Sequence, residues 1–116
     1  MEKSSLKSRC YKFSLSIISL MDELPNKRAC WVIADQVLRS SMSVGANLVE
    51  GGAASSRLEY KKFFEISLKS ANETKYWLAL LRDAKMVDEQ KINELLAEVT
   101  ELANMLAAGV IKLKKG

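Results

Sequence analysis

The sequence predicts an all-α fold in which the 116 residues form a single domain, an antiparallel up-down-up-down four-helix bundle. Two observations support this prediction. Apolar residues recur at spacings of three and four along four long segments, as on a helix with one buried face. The breaks between these segments are short, and helices of similar length with short connections pack best as antiparallel neighbours.

The first two helices are predicted from about Ser5 to Glu23, ending before Leu24-Pro25, and from about Lys27 to Glu50, with Gly51-Gly52 as a C-terminal cap. Each carries two apolar stripes. On the first helix they are Leu6, Cys10, Phe13, Ile17 and Leu20, and beside them Tyr11, Leu15 and Ile18. On the second they are Cys30, Ile33, Val37, Val44 and Leu48, and beside them Trp31, Leu38, Met42, Gly45 and Val49.

The third helix opens with the capping-box pattern Ser56-x-x-Glu59 and runs to about Lys85. The fourth begins at Asp88, a good N-cap residue, and continues to the end of the chain. The predicted stripes of the third helix are Phe63, Ile66, Trp77 and Leu80, and then Tyr60, Phe64, Leu78 and Leu81. Those of the fourth are Ile92, Leu95, Val99, Leu102, Leu106, Gly109 and Leu113, with Leu96, Ala103 and Val110 alongside.

The apolar faces of the first, second and fourth helices are wider than a usual core stripe. A second stripe beside the first indicates burial against another subunit, so we expect a homo-oligomer. The alternative is that bundle cores simply require wide apolar faces.

Composition excludes most enzyme classes. The chain has no histidine, so it has no Ser–His triad, no Cys–His pair and no imidazole metal ligand. Cys10 and Cys30 lie in apolar stripes and are interpreted as core residues. The carboxylates of segments three and four lack the Glu-x-x-His motif of bundle di-metal sites. We therefore predict no catalytic residue, no metal and no cofactor.

The chain is expected to be a cytoplasmic protein with reduced thiols and no membrane association. No uncharged run is long enough to span a bilayer, and the first five residues lack the apolar core of a signal peptide.

Polar residues occupy core-like positions in the middle of two helices. They are Ser40, Ser41, Ser43 and Asn47 on the second helix, and Ser67, Ser70, Asn72 and Glu73 on the third. Counting outward from the turn places Asn47 near Tyr60 and Ser40 near residues 65–67, with Arg39 and Gln36 within reach of Ser70 and Glu73. Three interpretations stay open: a hydrogen-bonded layer that fixes register, a ligand or partner site, and plain exposure.

Basic residues gather at one end of the predicted bundle, which we call the basic pole. In the up-down topology its members are Lys3, Lys7, Arg57, Lys61, Lys62, Lys112, Lys114 and Lys115. The opposite pole is predicted to be acidic through Asp22, Glu23, Asp83, Asp88 and Glu89. Such a pole, repeated around an oligomer, suits nucleic-acid backbone. The alternative is a set of solvated lysines that maintain solubility.

A motif at the end of the second helix resembles a known family. Residues 43–51, Ser-Val-Gly-Ala-Asn-Leu-Val-Glu-Gly, are similar to the bacterial four-helix-bundle proteins related to those encoded in intervening sequences of large-subunit rRNA genes. Gln36 to Ser40, the Ser56-x-x-Glu59-Tyr60 start and the pair Ser70 and Glu73 fit the same pattern. The residues that carry the structural part of the motif are Asn47, Glu50, Gly51, Ser70 and Glu73. Lys69 departs from it, because glycine is usual there.

The resemblance implies an antiparallel bundle that assembles as a ring, typically a homopentamer, with no catalytic residue. It also extends to accessory proteins of diversity-generating retroelements, which are basic barrels that bind nucleic acid and a reverse transcriptase. The resulting hypothesis is a non-enzymatic ring that binds RNA or DNA backbone through the basic pole. The alternative is an oligomeric adaptor or scaffold that binds a protein partner and no nucleic acid.

Overall fold

The computed structural model describes residues 5–115, and these form four helices in chain order. Their bounds are α1 Leu6–Met21, α2 Arg28–Gly52, α3 Arg57–Asp83 and α4 Glu89–Lys115. Each helix packs on two others, α1 on α2 and α4, and α3 on α2 and α4. Neither diagonal pair approaches closely within residues 5–115. This is the predicted up-down bundle, with extents of 46 × 30 × 20 Å.

Local signals set three of the helix starts. The Ser5 hydroxyl accepts a hydrogen bond from the Ser8 N–H at 3.1 Å, and the Ser56 hydroxyl accepts one from the Glu59 N–H at 3.1 Å. The Asp88 carboxylate accepts one from the Lys91 N–H at 3.2 Å, as its predicted role as N-cap requires. The capping box departs from the prediction in one contact, because the Glu59 carboxylate accepts from the Ser55 N–H at 2.7 Å.

The core is formed by the main stripes of α1, α2 and α4, as predicted, together with Leu78 and Leu81 from the second predicted stripe of α3. Its largest fully buried side chains are Ile17, Leu78, Leu81, Ile92, Leu102 and Leu106. The prediction is wrong for the first stripe of α3, because Ile66 is 45% exposed and Phe63, Trp77 and Leu80 are only half-buried. The buried face of that helix is instead built on Ser67, Ala71, Thr74 and Leu78. Small side chains there allow α3 to approach α2 closely.

Helix α2 runs two residues further than predicted. Gly51 and Gly52 are helical, and Ala53 is the cap residue with an ordinary φ of −101°. Gly51 is buried, and a Cβ added to it would lie 3.1 Å from Phe63 Cβ. The glycine is therefore explained by close contact with α3 and not by a left-handed cap.

Candidate nucleic-acid interface

The bundle topology brings the predicted basic pole together. Lys7, at the start of α1, reaches the end of α2, where its Nζ would be 3.0 Å from a Cβ added to Gly52. Arg57, at the start of α3, reaches the end of α4 and donates hydrogen bonds to the carbonyl oxygens of Lys112 at 3.3 Å and Leu113 at 3.4 Å. Both cations thus lie at helix C-termini, where the helix dipole favours positive charge.

Most side chains of the pole face solvent. Lys61 is half-buried, and the exposed members are Lys7, Arg57, Lys62, Lys112, Lys114 and Lys115. Lys3 lies outside the described residues. The carboxylates near this end are those of Glu50, Glu59 and Glu65, so seven described cations face three carboxylates. The described part of the pole therefore carries a net positive charge.

The opposite pole is close to neutral and only weakly acidic, which corrects the predicted strongly acidic pole. Its six carboxylates, Asp22, Glu23, Asp83, Asp88, Glu89 and Glu94, lie among five cations, Lys27, Arg28, Arg82, Lys85 and Lys91. Lys91 Nζ lies 2.6 Å from the Glu23 carboxylate, and Arg82 Nε lies 2.9 Å from that of Asp83. Hydrogen bonding to these carboxylates raises the pKa of Lys91 and of Arg82. The electrostatic asymmetry of the bundle comes mainly from the basic pole.

The polar residues between α2 and α3 form a hydrogen-bonded ladder, which we call the hydroxyl seam. Ser67 Oγ donates to the Val44 carbonyl at 2.6 Å, and Ser70 Oγ donates to Ser43 Oγ at 2.8 Å. Thr74 Oγ1 lies 2.8 Å from Ser40 Oγ and also 2.8 Å from the Ser70 carbonyl. Every buried side-chain nitrogen or oxygen within residues 5–115 has a hydrogen-bond partner. Of the three interpretations, the seam fits the layer that fixes register.

The register of the seam differs from the predicted one. Ser40 lies opposite Thr74 and not opposite residues 65–67, and Ser70 contacts Ser43. The two extra helical residues of α2 move the turn toward the C-terminus and account for part of this shift. Arg39 pairs with Glu73, as predicted.

The five motif residues do not form one site. Asn47 donates to Ser43 Oγ at 2.9 Å and so joins Ser70 through a shared partner. Gly51 packs on α3, and Glu50 is exposed. Glu73 stands apart, in a cluster at the surface.

That surface cluster is built around the Glu73 carboxylate. It accepts hydrogen bonds from Trp77 Nε1 at 2.9 Å and from Arg39, whose guanidinium also donates to Gln36 at 2.8 Å. The Trp77 hydrogen bond and then the Arg39 guanidinium hold the pKa of Glu73 below its usual range. The Trp77 ring in turn meets Tyr76 edge to face, with 5.0 Å between ring centroids.

The second stripes of α1 and α2 lie side by side on one exposed surface, the apolar outer face. It contains Tyr11, Leu15, Ile18, Trp31, Met42 and Val49, each 40–69% exposed. A groove of about 460 Å3 runs through it, with Gly45 at its floor beside Cys10. Two parts of the predicted wide faces belong instead to the core of a single copy: Leu38 of α2 packs against it, and the second stripe of α4 is buried at Ala103 and Val110.

On its other side, α1 is joined to α4 by ion pairs that the sequence did not reveal. Arg9 Nη2 lies 2.8 Å from the Glu98 carboxylate, and Nη1 lies 2.6 Å from that of Glu101. Their hydrogen bonds raise the pKa of Arg9. These partners are distant along the chain, so no spacing signal within one helix could have identified them.

Neither cysteine is placed for chemistry. Cys10 and Cys30 are free and buried, and burial and then the nearby Glu98 charge raise the pKa of Cys10 to about 11. A thiol with such a pKa is a poor nucleophile at neutral pH. Within residues 5–115 no cluster of His, Cys, Asp or Glu is suited to hold a metal ion. None of the helices is long and apolar enough to cross a membrane, as far as the described chain extends.

Fold and site together define a small all-α bundle protein with a basic pole and no assembled catalytic group in its described part. The sequence model of the family described as 23S rRNA-intervening sequence protein matches residues 2–108, and the chain belongs to that family. A crystal structure of a protein of unknown function from the S23 ribosomal protein family of Bacteroides thetaiotaomicron is similar, with a TM-score of 0.85 and 32% identity. The match covers 91% of this chain and 98% of that one. No curated protein sequence is significantly similar to the chain.

Proposed function

We propose that this protein is a non-enzymatic module that assembles into a homo-oligomeric ring and binds RNA or DNA backbone through its basic pole. The observation that carries the proposal is the excess of cations at one end of the bundle, seven against three carboxylates. The opposite end is close to neutral, so the basic pole is the one strongly charged end of the described bundle. Clustered lysines and arginines of this kind supply sequence-independent affinity for phosphates.

The assembly part of the proposal is supported by the apolar outer face. Soluble monomers rarely expose a contiguous apolar surface that extends over two helices. Tyr11 is 69% exposed and Val49 is 64% exposed, and both border the same groove. A second copy of the chain is the occupant we propose, in a ring whose five-fold number is that implied by the family resemblance.

In a ring, every copy turns its basic pole toward the same side. The positive charge of one pole is thereby multiplied, and a long polyanion can contact several copies at once. The proposal places the assembly in the cytoplasm, where the two free thiols stay reduced.

The second candidate is an oligomeric protein-interaction adaptor without a nucleic-acid role. The apolar outer face favours it as much as it favours the ring, because that face contributes nothing to phosphate binding. The two candidates differ only in what the basic pole does, so nucleic-acid binding separates them.

The test is a fluorescence anisotropy titration with labelled RNA and DNA at low and at moderate salt. We expect binding at low salt that weakens steeply as salt rises, because phosphate contacts release counterions. The triple variant Lys7→Glu, Lys61→Glu, Lys62→Glu should weaken binding roughly tenfold or more. Its matched control is Lys27→Glu, Arg28→Glu, Lys85→Glu, which makes the same change in net charge at the opposite pole.

Equal loss of binding in both variants would mean that net charge, and not the pole, attracts the nucleic acid. Absence of binding by the wild type at low salt would leave the adaptor as the better account. Circular dichroism of each variant checks that the bundle still folds.

A further inference from the structure

A line of exposed side chains leads away from the basic pole along α3. Lys62, Lys69 and Tyr76 are seven residues apart, so each lies about 10.5 Å beyond the last and turned by only ~20°. All three side chains are exposed. The line begins inside the basic pole at Lys62 and ends on an aromatic ring. Lys69 replaces the glycine usual in the resembled pattern, and its exposed position explains why a long side chain fits there.

Tyr76 is held in place although 60% of it is exposed. Its ring and the Trp77 ring form a T-shaped pair, with 74° between the planes and 5.0 Å between the centroids. Trp77 Nε1 donates to Glu73 at 2.9 Å, and Glu73 is paired with Arg39. A ring supported by such a chain loses little freedom when a ligand stacks on it.

The charges around the ring favour a polyanion. Arg39 is 58% exposed on the neighbouring helix, and Lys69 lies two turns before Tyr76. The one carboxylate of the cluster, Glu73, is offset by the Arg39 guanidinium and the Trp77 N–H. A track of cations that ends on an exposed aromatic face is the combination with which proteins bind single strands.

We propose that a single-stranded segment of RNA or DNA lies along α3, with phosphates on Lys62 and Lys69 and a base stacked on Tyr76. This proposal rests on nucleic-acid binding by the basic pole and adds that the bound nucleic acid is single-stranded. A step of 10.5 Å corresponds to about three stacked nucleotides at 3.4 Å each. A duplex keeps its bases inside the helix and offers Tyr76 no free face, so this contact selects single strands.

The experiment compares a labelled single-stranded oligouridine with a labelled duplex of equal length, titrated with wild type, Tyr76→Ala and Tyr76→Phe at low salt. The matched control is Ile111→Ala, which removes an apolar side chain of similar exposure, 55%, from α4. We expect Tyr76→Ala to weaken single-strand binding about tenfold, as loss of one stacked base does, and to leave duplex binding unchanged. Tyr76→Phe and Ile111→Ala should bind as the wild type does.

A second readout locates the contact directly. Photocrosslinking with a bromouridine-substituted oligonucleotide should yield an adduct on the peptide that contains Tyr76. Native mass spectrometry should show the same number of subunits for Tyr76→Ala as for the wild type. A changed number of subunits would show that this face contacts another subunit, and that result overturns the proposal.

The outcomes distinguish the stacking site at Tyr76 from nucleic-acid binding by the basic pole. Wild-type binding that Tyr76→Ala leaves intact overturns the stacking site while the basic pole stands. Loss of binding to both the single strand and the duplex in Tyr76→Ala also overturns it, because stacking on Tyr76 is specific to the single strand. A wild type that binds neither probe refutes nucleic-acid binding altogether, and the stacking site with it.

Discussion

The two sides of α2 show opposite uses of polar and apolar residues. Toward α3, the hydroxyl seam buries serines and a threonine whose hydrogen bonds are all internal. Toward α1, apolar side chains as large as Trp31 and Met42 remain exposed. The polar residues that look functional in the sequence are therefore structural, and the apolar residues that look structural are available to a partner.

The difference follows from side-chain size. Small hydroxyl residues let α2 and α3 approach until Ser67 Oγ is 2.6 Å from the Val44 carbonyl. On the other side of α2, the helix approaches α1 closely at Gly45, beside Cys10, and a groove lies between the exposed side chains of the two helices. Variants on each side of α2 test this contrast, and variants of the ion pairs test the packing around it.

The largest effect is expected from a bulky residue in the hydroxyl seam. Ser67→Leu removes a buried hydrogen bond and forces extra methylenes between two helix backbones, so it should destabilise the fold by about 2–4 kcal/mol. Ser14→Leu, which adds the same bulk beside the α1–α2 groove, should change stability by less than about 1 kcal/mol. Urea unfolding at one protein concentration measures both. Similar stabilities of the two variants would contradict the contrast.

Loss of the ion pairs between α1 and α4 comes next. Arg9→Ala removes contacts to both Glu98 and Glu101, and we expect a loss of about 1–2 kcal/mol. The loss should shrink in high salt because screening weakens partly exposed pairs. Arg82→Ala breaks a pair with its own neighbour Asp83 and should have a smaller effect. Thermal unfolding at two ionic strengths distinguishes the variants, and an Arg9→Ala effect no larger than that of Arg82→Ala would argue against the role of Arg9.

A double-mutant cycle across the seam should give a smaller effect. Thr74→Val removes the hydroxyl that contacts Ser40 and should cost about 1 kcal/mol. Ser40→Ala in the same background should then cost less than it does alone, because its partner is already gone. Strict additivity of the two losses would mean that the hydroxyls do not interact.

The smallest effect concerns pH. The folded protein lowers the pKa of Glu73, so its ionised carboxylate stabilises the fold above the ordinary value of 4.5. That contribution is lost as the pH falls through the lower, folded-state pKa. Glu73→Gln should therefore flatten the acid limb of a plot of melting temperature against pH. Trp77→Phe removes the indole N–H that donates to Glu73 and should flatten the limb as well. An unchanged slope in both variants would refute the stabilising role of the ionised Glu73 carboxylate.

The number of helices and most of their boundaries could be predicted because their signals are local. Ser56 and Asp88 cap their own helices, and the stripe of α1 needs only its own spacing. The register of α2 on α3 could not be predicted, in part because Gly51 has the sequence signature of a cap and so hides the true end of α2. Only its distance to Phe63 in the folded bundle shows why the helix continues through it.

The candidate site was predictable to the same extent. Topology alone places the cations of the basic pole at one end, since it fixes which helix ends are neighbours. The charge of the opposite pole depends on its cations as well as its carboxylates, and Lys27, Arg28 and Lys85 reduce the acidity that the carboxylates alone predict. The line from Lys62 to Tyr76 was present as a seven-residue spacing, but the support that Trp77 gives Tyr76 is visible only in three dimensions.

The central claim is that the apolar outer face of α1 and α2 is covered by a second copy of the chain. Native mass spectrometry tests it most directly, on wild type and on two charge insertions in α2. Val49→Glu places a carboxylate in the apolar outer face. Val32→Glu is the control: it places a carboxylate at an exposed position outside that face, one heptad before Arg39 and on the side toward α3. We predict oligomers for the wild type and Val32→Glu, and a folded 13.0 kDa monomer for Val49→Glu. A wild type that is itself a 13.0 kDa monomer at micromolar concentration would contradict the claim.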